Sequence, residues 1–344
     1  MKACVLEDIG RLVYQTVEQP HIKENQVLLK IKACGICSSD INRIFKTGTY
    51  HFPTIPGHEF AGQIVEIGSQ VPTAYLNKRA VVFPLLPCMK CASCQSQQYA
   101  RCENYNYFGS RCDGGFAEYL AVPLWNIVTF SDSLDYKTAA LCEPAAVALH
   151  SLHAAEPLTG KTIAIIGTGT IAFLTALWAQ EAGAKTIIMA GRSDSKRKFA
   201  QEFGISNLIY VSQNPLNQIQ EQTNGAGADT VFECVGSAEA VTLAIAAAKK
   251  GGTVILTGNP ASDISLPQQI YWKILRNELT IHGTWNSSYS DQNNDWKKTL
   301  IYMEKHKLTL QKLITHTFDL SCHHDAFKRL LDPEEFSMKV MFVM

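Results

Sequence analysis

The sequence predicts an α/β protein in which a doubly wound parallel sheet is joined to a β-rich domain. Residues 1–150 hold short alternating or apolar runs broken by Gly and Pro, a pattern typical of β-structure. From residue 158 onward, runs typical of buried strands alternate with helical patterns, as in a parallel sheet covered by helices. A length of 344 residues also exceeds the usual size of one hydrophobic core and favours two domains.

The individual elements follow from the apolar patterns. In the β-rich part, residues 26–31 and 62–67 are typical of strands. The expected strands of the parallel sheet are residues 162–166, 186–190, 208–211, 230–234, 253–256 and 279–281. Helices are predicted at residues 294–306 and after Ser321, its expected N-cap, followed by a closing strand at 339–343. The predicted domains are therefore residues 1–150, residues 151–289, and residues 290–344, which return to the first domain.

Composition and charge favour small-molecule partners. Hydrophobic residues make up 46% of the chain and charged residues 18%, as in ordinary globular proteins. With 31 basic and 31 acidic residues the net charge is zero, so no overall field attracts nucleic acid or an acidic membrane surface. No apolar run approaches the roughly 20 residues needed to span a bilayer, and the first eight residues are unlike a signal peptide. We expect a cytoplasmic protein without nucleic-acid or membrane partners.

Four cysteines have the spacing of a metal site. Cys88, Cys91, Cys94 and Cys102 form the pattern C-x2-C-x2-C-x7-C, which lets four thiolates converge on one zinc ion. A closed site of this kind is expected to be structural and to stabilise an irregular lobe at about residues 85–105. Unrelated cysteines are the plain alternative. An iron–sulfur cluster is the other alternative, but the last cysteine comes late and lacks a following Pro.

A glycine-rich turn predicts dinucleotide binding. Gly167 and Gly169 follow the expected strand at 162–166, and Thr170 and Ile171 open a helix, which is the context of a Rossmann G-x-G-x-x-A motif. Glycines there allow a pyrophosphate to approach the helix N-terminus, whose free N–H groups favour anions. A glycine turn of another α/β fold is the alternative interpretation.

The end of the next strand bears on the choice of cofactor. NAD enzymes place an acidic residue there for the ribose, but this chain has Gly191, followed by Arg192 and Ser193, with Arg197 nearby. The missing carboxylate and the added cation predict a preference for NADP(H) over NAD(H). In the alternative interpretation, Asp194 binds the ribose and Arg192 stacks on adenine.

A second set of metal-binding residue types is scattered along the first 150 residues. It comprises Cys37, His58, Glu59 and Glu143. Their spacing does not make them converge, and each has a plain structural interpretation, such as a buried thiol, a turn histidine or a carboxylate at a helix start. From the residues alone, a catalytic site is therefore one of two open interpretations.

The whole chain resembles the zinc-containing medium-chain dehydrogenases. Members of that family carry Gly-x-Cys, Gly-His-Glu and a four-cysteine lobe in this order, which here are residues 35–37, 57–59 and 88–102. Residues 109–119 and 273–279 look most like the polyol branch, which includes the galactitol-1-phosphate and sorbitol dehydrogenases. The resemblance implies a GroES-like catalytic domain at residues 1–150 and 290–344, with the active site in the cleft beside the dinucleotide domain.

The resemblance also implies the roles of individual residues. Cys37, His58 and Glu143 match the catalytic zinc ligands of the polyol branch, and Glu59 could exchange into the coordination sphere. Ser39 matches a hydroxyl that passes the alcohol proton outward, although a simple turn hydroxyl remains an equal alternative. The implied reaction is hydride transfer between a secondary alcohol and NAD(P), with a second, structural zinc. A homodimer or homotetramer is implied as well.

The substrate remains open at this stage. Four cations are candidate contacts for a substrate phosphate: Arg43, Lys46, Arg111 and Lys273. Other alcohols, such as threonine, a pentitol phosphate or an aminocyclitol, are alternatives, as is a non-catalytic dinucleotide-binding redox sensor. Residues 322–325 (Cys-His-His-Asp) are not expected to bind a metal, because they stand at a predicted helix start without a further ligand nearby.

Overall fold

The contacts within the chain divide it into two units. In the computed structural model, which describes residues 1–332 and 334–344, unit 1 consists of Met1–Glu143 and Ser288–Met344. Unit 2 consists of Pro144–Ser287. The domain boundaries predicted from the sequence are at about residues 150 and 290. Unit 2 is thus one continuous stretch of chain, whereas unit 1 is assembled from segments on both sides of it.

The first segment of unit 1 is dominated by strands, as its alternating apolar pattern predicts. Its helices and strands are β1 (Lys2–Asp8), β2 (Arg11–Thr16), β3 (Gln26–Gly35), α1 (Ser38–Asn42), β4 (Glu59–Ile67), β5 (Arg79–Val82), β6 (Leu85–Leu86), α2 (Ala92–Gln95), β7 (Asn106–Tyr107), β8 (Tyr119–Pro123), β9 (Ile127–Thr129), α3 (Tyr136–Ala140) and α4 (Cys142–His153), the last of which continues into unit 2. A π-helical turn at Arg43–Thr47 extends α1.

Unit 2 contains the predicted parallel sheet. Its elements are β10 (Thr162–Ile166), α5 (Thr170–Glu181), β11 (Thr186–Gly191), α6 (Asp194–Glu202), β12 (Asn207–Tyr210), α7 (Pro215–Gln222), β13 (Ala228–Glu233), α8 (Ala238–Ala247), β14 (Ala248–Leu256), α9 (Gln268–Arg276) and β15 (Thr280–Gly283). All strand pairs are parallel and the order is β12-β11-β10-β13-β14-β15. The reversal of strand order beside β10 is the switch point at which such sheets bind ligands. The strand–helix alternation predicted from the sequence is confirmed.

The second segment of unit 1 adds α10 (Asp295–Lys305), α11 (Lys307–Leu313), β16 (Ile314–Asp319), α12 (His323–Leu331) and β17 (Lys339–Val343). β17 lies between β16 and β3 in a seven-stranded sheet of order β16-β17-β3-β4-β5-β9, with β8 also paired to β3. The return is fixed by aromatic packing as well, since the Tyr289 ring stacks on Phe83 at a centroid distance of 4.4 Å. The predicted closing strand is therefore the element that joins the two ends of unit 1.

Helix starts agree with the sequence in one case and not in another. Asn294 caps α10 by accepting a hydrogen bond from the Lys297 N–H at 2.9 Å, as the helix predicted at residues 294–306 requires. The expected N-cap role of Ser321 is wrong. Its N–H and hydroxyl both donate to Asp319, which caps a 3-10 turn at Leu320–Cys322, and α12 begins only at His323. An aspartate two residues upstream competes for the capping position.

The helices are short and pack on their sheets. The α4 and α5 helices have 12 residues each. Residues 172–179 of α5 are buried without interruption. The helix contacts β10 and β11, and it also meets α4, whose Ala145 carbonyl accepts a hydrogen bond from the Trp178 indole at 2.9 Å. Within the described residues, no helix is long and apolar enough to cross a bilayer.

Candidate active site

The four cysteines predicted to bind zinc lie together in unit 1. Their ligand atoms are all within 4.8 Å of one another, with Sγ–Sγ distances of 3.9 Å for Cys88–Cys94, 3.5 Å for Cys91–Cys94 and 4.0 Å for Cys91–Cys102. A tetrahedron with zinc–sulfur bonds of about 2.3 Å has edges of about 3.8 Å, so the spacing fits zinc. It does not fit a disulfide, whose sulfurs lie about 2.05 Å apart. We call these residues the four-thiol cluster.

The backbone around the four-thiol cluster favours thiolates. The Cys88 N–H donates to Cys102 Sγ at 3.2 Å. Hydrogen bonds from the backbone of Lys90 and of Cys91 lower the pKa of Cys88 to about 6. Burial and the neighbouring thiols instead raise the pKa of Cys94 to about 12. Because a metal ligand must be deprotonated, the loop prepares Cys88 for zinc, whereas Cys94 loses its proton only when the metal binds.

A second group of donors brings distant residues together. Cys37, His58 and Glu59 offer ligand atoms that all lie within 4.8 Å of one another, and we call them the trio. Cys37 precedes α1, while Glu59 opens β4 and pairs with Gly35 at the end of β3. A Cβ at Gly35 would lie 2.2 Å from Glu59 Oε2, so only glycine leaves the carboxylate its place. One thiolate, one imidazole and one carboxylate form a donor set that suits a catalytic zinc.

Asp40 orients the histidine of the trio. Its carboxylate is fully buried, and Oδ1 lies 3.3 Å from His58 Nδ1, which leaves Nε2 free to face a metal. Burial by itself lowers the pKa of His58, but the Asp40 carboxylate more than compensates and holds it well above its usual value. Arg43 Nη1 donates to both Asp40 Oδ1, at 3.2 Å, and Ser39 Oγ, at 2.9 Å. The predicted proton-relay hydroxyl is thus oriented by the arginine that neutralises Asp40.

Lys339 is a site residue that the sequence analysis missed. Its ammonium group is buried and donates to Glu59 at 2.8 Å (Oε1) and 2.6 Å (Oε2), and to the Ile36 carbonyl at 3.2 Å. A buried carboxylate needs such a partner, because an unpaired charge in the interior is costly. Lysine in the closing strand carries no signal of this role in the sequence. Only the pairing of β17 with β3 reveals it.

Glu143 lies near the trio but is not a member of it. Its side chain is buried in the first turn of α4, and the Tyr107 hydroxyl donates to Oε1 at 3.2 Å. Burial raises the pKa of Glu143 to about 7, with His58 lowering it and Glu59 raising it. The Tyr107 ring also lies 5.7 Å from the His58 ring. Tyr107 is thus a second residue that the sequence did not single out.

The glycine turn of unit 2 has the geometry of a phosphate-binding loop. Gly167 has a φ of +124°, and its N–H donates to the Ala190 carbonyl at 2.9 Å. Gly169 is the N-cap of α5, and a Cβ there would meet no heavy atom within 4 Å. Thr170 and Ile171 form the first turn of that helix, whose free N–H groups face the end of β10.

Glu233, at the end of β13, braces the neighbouring loop. It is buried, and Oε1 accepts hydrogen bonds from the backbone of Val235 at 2.7 Å and of Gly236 at 2.8 Å. β13 pairs with β10, so these residues lie beside the glycine turn. From the sequence pattern alone, this stretch is predicted only as a strand.

The residues expected at the ribose lie at the end of β11. Gly191 is buried, and a Cβ there would lie 2.4 Å from Thr168 Cγ2, so a larger residue would require the Thr168 side chain to move. Arg192 is exposed. Asp194 accepts a hydrogen bond from the Tyr210 hydroxyl, which in turn lies 3.4 Å from Arg197 Nη1.

The other residues considered as metal ligands or phosphate contacts have different partners in the structure. Within the described part of the chain, residues 322–325 do not form a metal-binding group, and His323 Nε2 instead contacts the Leu12 carbonyl at 3.2 Å. Lys273 belongs to unit 2, where its ammonium group donates to the Ala246 carbonyl. Arg43 is paired with Asp40, whereas Arg111 lies in unit 1 against two tyrosines.

Two family descriptions match the chain. Residues 23–132 match the alcohol dehydrogenase GroES-like domain, and residues 167–305 match the zinc-binding dehydrogenase family. Galactitol 1-phosphate 5-dehydrogenase of Escherichia coli K12 is 34% identical over 319 residues, which cover 92% of each chain. Sorbitol dehydrogenase of Bacillus subtilis is 29% identical over 347 residues, covering 99% of this chain and 96% of that one.

Solved structures agree with these matches. Galactitol-1-phosphate dehydrogenase from Escherichia coli superposes with a TM-score of 0.93 at 32% identity over 100% of both chains. A zinc-binding dehydrogenase from Sinorhizobium meliloti 1021, bound to NADP, has a TM-score of 0.91 at 29% identity, covering 100% of this chain and 99% of that one. An Escherichia coli alcohol dehydrogenase complexed with NADH has a TM-score of 0.91 at 26% identity, with the same coverage.

Proposed function

The chain belongs to the zinc-binding alcohol dehydrogenase family, and from this premise we propose that it oxidises a secondary hydroxyl of a polyol or polyol phosphate with NADP as hydride acceptor. The enzyme class, an alcohol or polyol dehydrogenase, follows from the family. The substrate and the choice of NADP are the proposed parts. In the reaction, the secondary alcohol becomes a ketone, the hydride passes to C4 of the nicotinamide and the hydroxyl proton leaves to solvent.

The observation that carries the proposal is the convergence of Cys37, His58 and Glu59 around one point, with Asp40 behind the histidine. Cys37 and His58, with a carboxylate from Glu59 or Glu143, would hold the ion. When bound, zinc supplies a Lewis acid that lowers the pKa of the substrate hydroxyl. A carboxylate at residue 143, where ethanol-type relatives tend to have cysteine, supports a polyol as the substrate.

Proton movement is assigned to the chain's own side chains. Ser39 Oγ accepts a hydrogen bond from Arg43, so its own hydrogen is free to point elsewhere. In this orientation Ser39 can accept the substrate proton and pass it outward. Asp40 and Arg43 keep the hydroxyl and the His58 ring in fixed positions, which is the orienting role that catalysis requires.

The preference for NADP rests on the end of β11. Gly191 removes the carboxylate that would repel a 2′-phosphate, and Arg192 is exposed beside it. Asp194, the residue of the alternative NAD interpretation, is engaged by Tyr210. Ser193 and Arg197 complete a cationic, hydroxyl-bearing turn suited to a phosphate. The similar solved structures include one with NADP and one with NADH, so the proposed cofactor preference rests on the residues at the end of β11 in this chain.

The four-thiol cluster is proposed to hold a second, structural zinc. Four sulfur ligands leave no open position for a substrate, so this ion would stabilise the loop around residues 88–102. Zinc thiolates persist where thiols stay reduced, which supports the cytoplasm as the location.

A second copy of this chain is the proposed protein partner, as a homodimer or homotetramer. In unit 2, β15 is an edge strand whose four residues are all exposed, and no residue of the neighbouring α9 is buried. Tyr271, Trp272 and Leu275 of α9 are 55%, 42% and 57% exposed. Unpaired strand edges flanked by large apolar side chains are suited to pairing between identical chains. Light scattering after size exclusion tests this, and a monomer at micromolar concentration would contradict it.

The function itself is tested by initial rates. Zinc-loaded protein is mixed with NADP or NAD and with one alcohol at a time, and the formation of reduced nicotinamide is followed by absorbance. The alcohols are galactitol 1-phosphate, sorbitol, pentitol phosphates and threonine. We expect turnover of a polyol or its phosphate, with a higher kcat/KM for NADP. The polyol proposal would be overturned if threonine were the only substrate turned over. It would also be overturned if protein with bound zinc and cofactor turned over none of these alcohols.

The cofactor preference has its own test. Arg192→Gln should raise the KM for NADP about 10-fold and leave the KM for NAD nearly unchanged, because only NADP loses a charged contact. Arg11→Met, which removes an exposed arginine from the β1–β2 hairpin of unit 1, is the matched control. Equal effects on both cofactors would remove the basis for NADP.

A further inference from the structure

Arg111 is a cation whose charge the protein does not neutralise. It lies in the loop that follows β7, and among the described residues its guanidinium makes no ion pair. Nη2 donates to the Tyr50 hydroxyl at 3.0 Å, and Nη1 lies 3.4 Å from the Tyr105 carbonyl. A guanidinium has five N–H groups, so three are left without a described protein acceptor. Asp113, the nearest carboxylate along the chain, instead accepts a hydrogen bond from the Ile55 N–H.

Aromatic rings hold this guanidinium in place. Its Cζ lies 4.0 Å from the centroid of the Tyr50 ring and 4.4 Å from that of Tyr105. Such contacts hold the planar group in one orientation, so the side chain loses less conformational entropy when it binds an anion. His51 Nε2 also contacts the Arg111 carbonyl at 3.2 Å, which ties the loop after the Arg43–Thr47 turn to the loop after β7.

Both loops lead directly to the trio. The Tyr50 loop follows the α1 segment that begins at Cys37. The Arg111 N–H donates to the Tyr107 carbonyl at 2.9 Å, and Tyr107 packs on His58 and donates to Glu143. The backbone of Arg111 is thus one hydrogen bond away from a residue that contacts both His58 and Glu143, and all of these residues belong to unit 1.

We propose that Arg111, held by Tyr50 and Tyr105, binds the phosphate of the substrate and so selects a polyol phosphate over the unphosphorylated polyol. This inference rests on the proposed function. The N–H groups that remain on the planar guanidinium can donate two parallel hydrogen bonds to a phosphomonoester, whose charge of about −1.5 to −2 attracts a cation more strongly than the single charge of a carboxylate. Of the other candidate cations, Arg43 is engaged by Asp40 and Ser39, and Lys273 by the Ala246 carbonyl. Lys46 is exposed, and among the described residues no aromatic ring or acceptor holds it in place. Arg111 is thus a specificity-determining residue for the reaction.

The test compares substrates that differ only in the phosphate. Wild-type protein, Arg111→Met, Arg111→Lys and the control Arg11→Met are assayed with galactitol 1-phosphate and with galactitol. Arg111→Met should raise the KM for galactitol 1-phosphate about 10- to 100-fold and change kcat/KM for galactitol less than about 3-fold. Arg111→Lys should fall between, because a lysine keeps the charge but not the planar fork.

A binding measurement separates this inference from the proposed function. Inorganic phosphate is titrated into the same proteins and its binding is measured by calorimetry, which needs no turnover. Arg111→Met should weaken the affinity for phosphate by about the same factor as it raises the KM for galactitol 1-phosphate, whereas Arg11→Met should leave that affinity unchanged. Unaltered phosphate binding, equal losses on both substrates, or a preference for a polyol carboxylate would overturn the inference. Absence of turnover with every alcohol, with phosphate binding still dependent on Arg111, would overturn the proposed function alone. Thermal melting checks that each variant is folded.

Discussion

The four-thiol cluster and the trio lie in the same unit, yet the chain builds them in different ways. All members of the four-thiol cluster fall within residues 88–102, and backbone N–H groups of the same loop surround them. The trio combines two segments and depends on two buried charges. Asp40, in α1 just after Cys37, lies behind His58, and Lys339, in the distant strand β17, pairs with Glu59. The four-thiol cluster is thus encoded within one loop, whereas the trio depends on the pairing of β3 with both β4 and β17.

Matched cysteine substitutions test this contrast most strongly. Cys37→Ser should lower kcat/KM at least about 10³-fold, because it removes a ligand of the proposed catalytic ion. This loss corresponds to an activation barrier that is about 4 kcal/mol higher. Cys91→Ser should keep at least about a tenth of the activity but lower the Tm by about 5 °C or more. Initial rates, zinc content and thermal melting measure both effects.

Cys322→Ser serves as the control for these two variants. Its thiol is exposed and belongs to neither cluster, so we expect wild-type rate, zinc content and Tm. If Cys91→Ser abolished activity while leaving the Tm unchanged, the assignment of a structural role to the four-thiol cluster would be wrong.

The dependence of the trio on distant charge is tested at Lys339. Lys339→Met leaves the Glu59 carboxylate buried without its partner and should lower the free energy of unfolding by about 3–5 kcal/mol, measured by urea denaturation. The double variant Glu59→Gln/Lys339→Met removes both charges and should recover at least about half of that loss. A double variant as unstable as the single one would show that the ion pair is not the cause.

Asp40 tests whether orientation of His58 matters for metal binding. Asp40→Asn keeps the shape of the side chain but removes its charge and should weaken zinc at the trio about 10- to 100-fold. Competition with a chelator, followed by metal analysis, measures the affinity of each site. Zinc in the four-thiol cluster is the internal control, since loss from both sites would indicate general unfolding.

A carboxylate that belongs to neither the four-thiol cluster nor the trio shows how small an ordinary loss of stability should be in comparison. Asp135 caps α3 by accepting from the Thr138 N–H at 2.9 Å, and Asp135→Ala should cost about 1 kcal/mol of unfolding free energy. Burial raises the pKa of Asp135, but hydrogen bonds from Thr138 and Gln311 outweigh it, so the folded-state pKa is lowered.

The sign of the pH effect at Asp135 follows from that lowered pKa. Its stabilisation is fully present above the unfolded-state pKa of about 3.9 and is lost as the pH falls through the folded-state value. The gap between wild type and Asp135→Ala, measured by denaturation, should thus be constant above about pH 5 and narrow below about pH 4. Asp135→Asn should stay near wild type at pH 7, because asparagine also caps helices.

The sequence predicts most of what is local in this molecule. The four-thiol cluster follows from spacing, and the glycine turn follows from its place between a strand and a helix. The parallel sheet follows from alternating strand and helix patterns, because buried strands must be apolar along their whole length. In each case the pattern that carries the prediction is local, because each strand, helix or loop is indicated by its own residues.

What the sequence does not predict depends on pairing between distant segments. The family resemblance implies Cys37, His58 and Glu143 as zinc ligands, with Glu59 as a possible exchange ligand, whereas the structure groups Glu59 with Cys37 and His58. Nothing in the sequence around Lys339 or Tyr107 marks them as partners of these residues. The register of β17 against β3 decides that Lys339 meets Glu59. Ser321 shows the same limit on a small scale, since Asp319 captures its hydrogen bonds.

The position of β17 in the chain also sets an order of events during synthesis. Lys339 follows Glu59 by 280 residues, so at about 5–20 residues per second a ribosome adds it about 15–55 s later. Unit 2, as one continuous stretch, is complete before β17 is made and is free to fold first. During that interval the nascent chain carries the ligands of the trio without the ammonium group that neutralises Glu59. The trio therefore gains its full set of charged partners only after translation has passed β17.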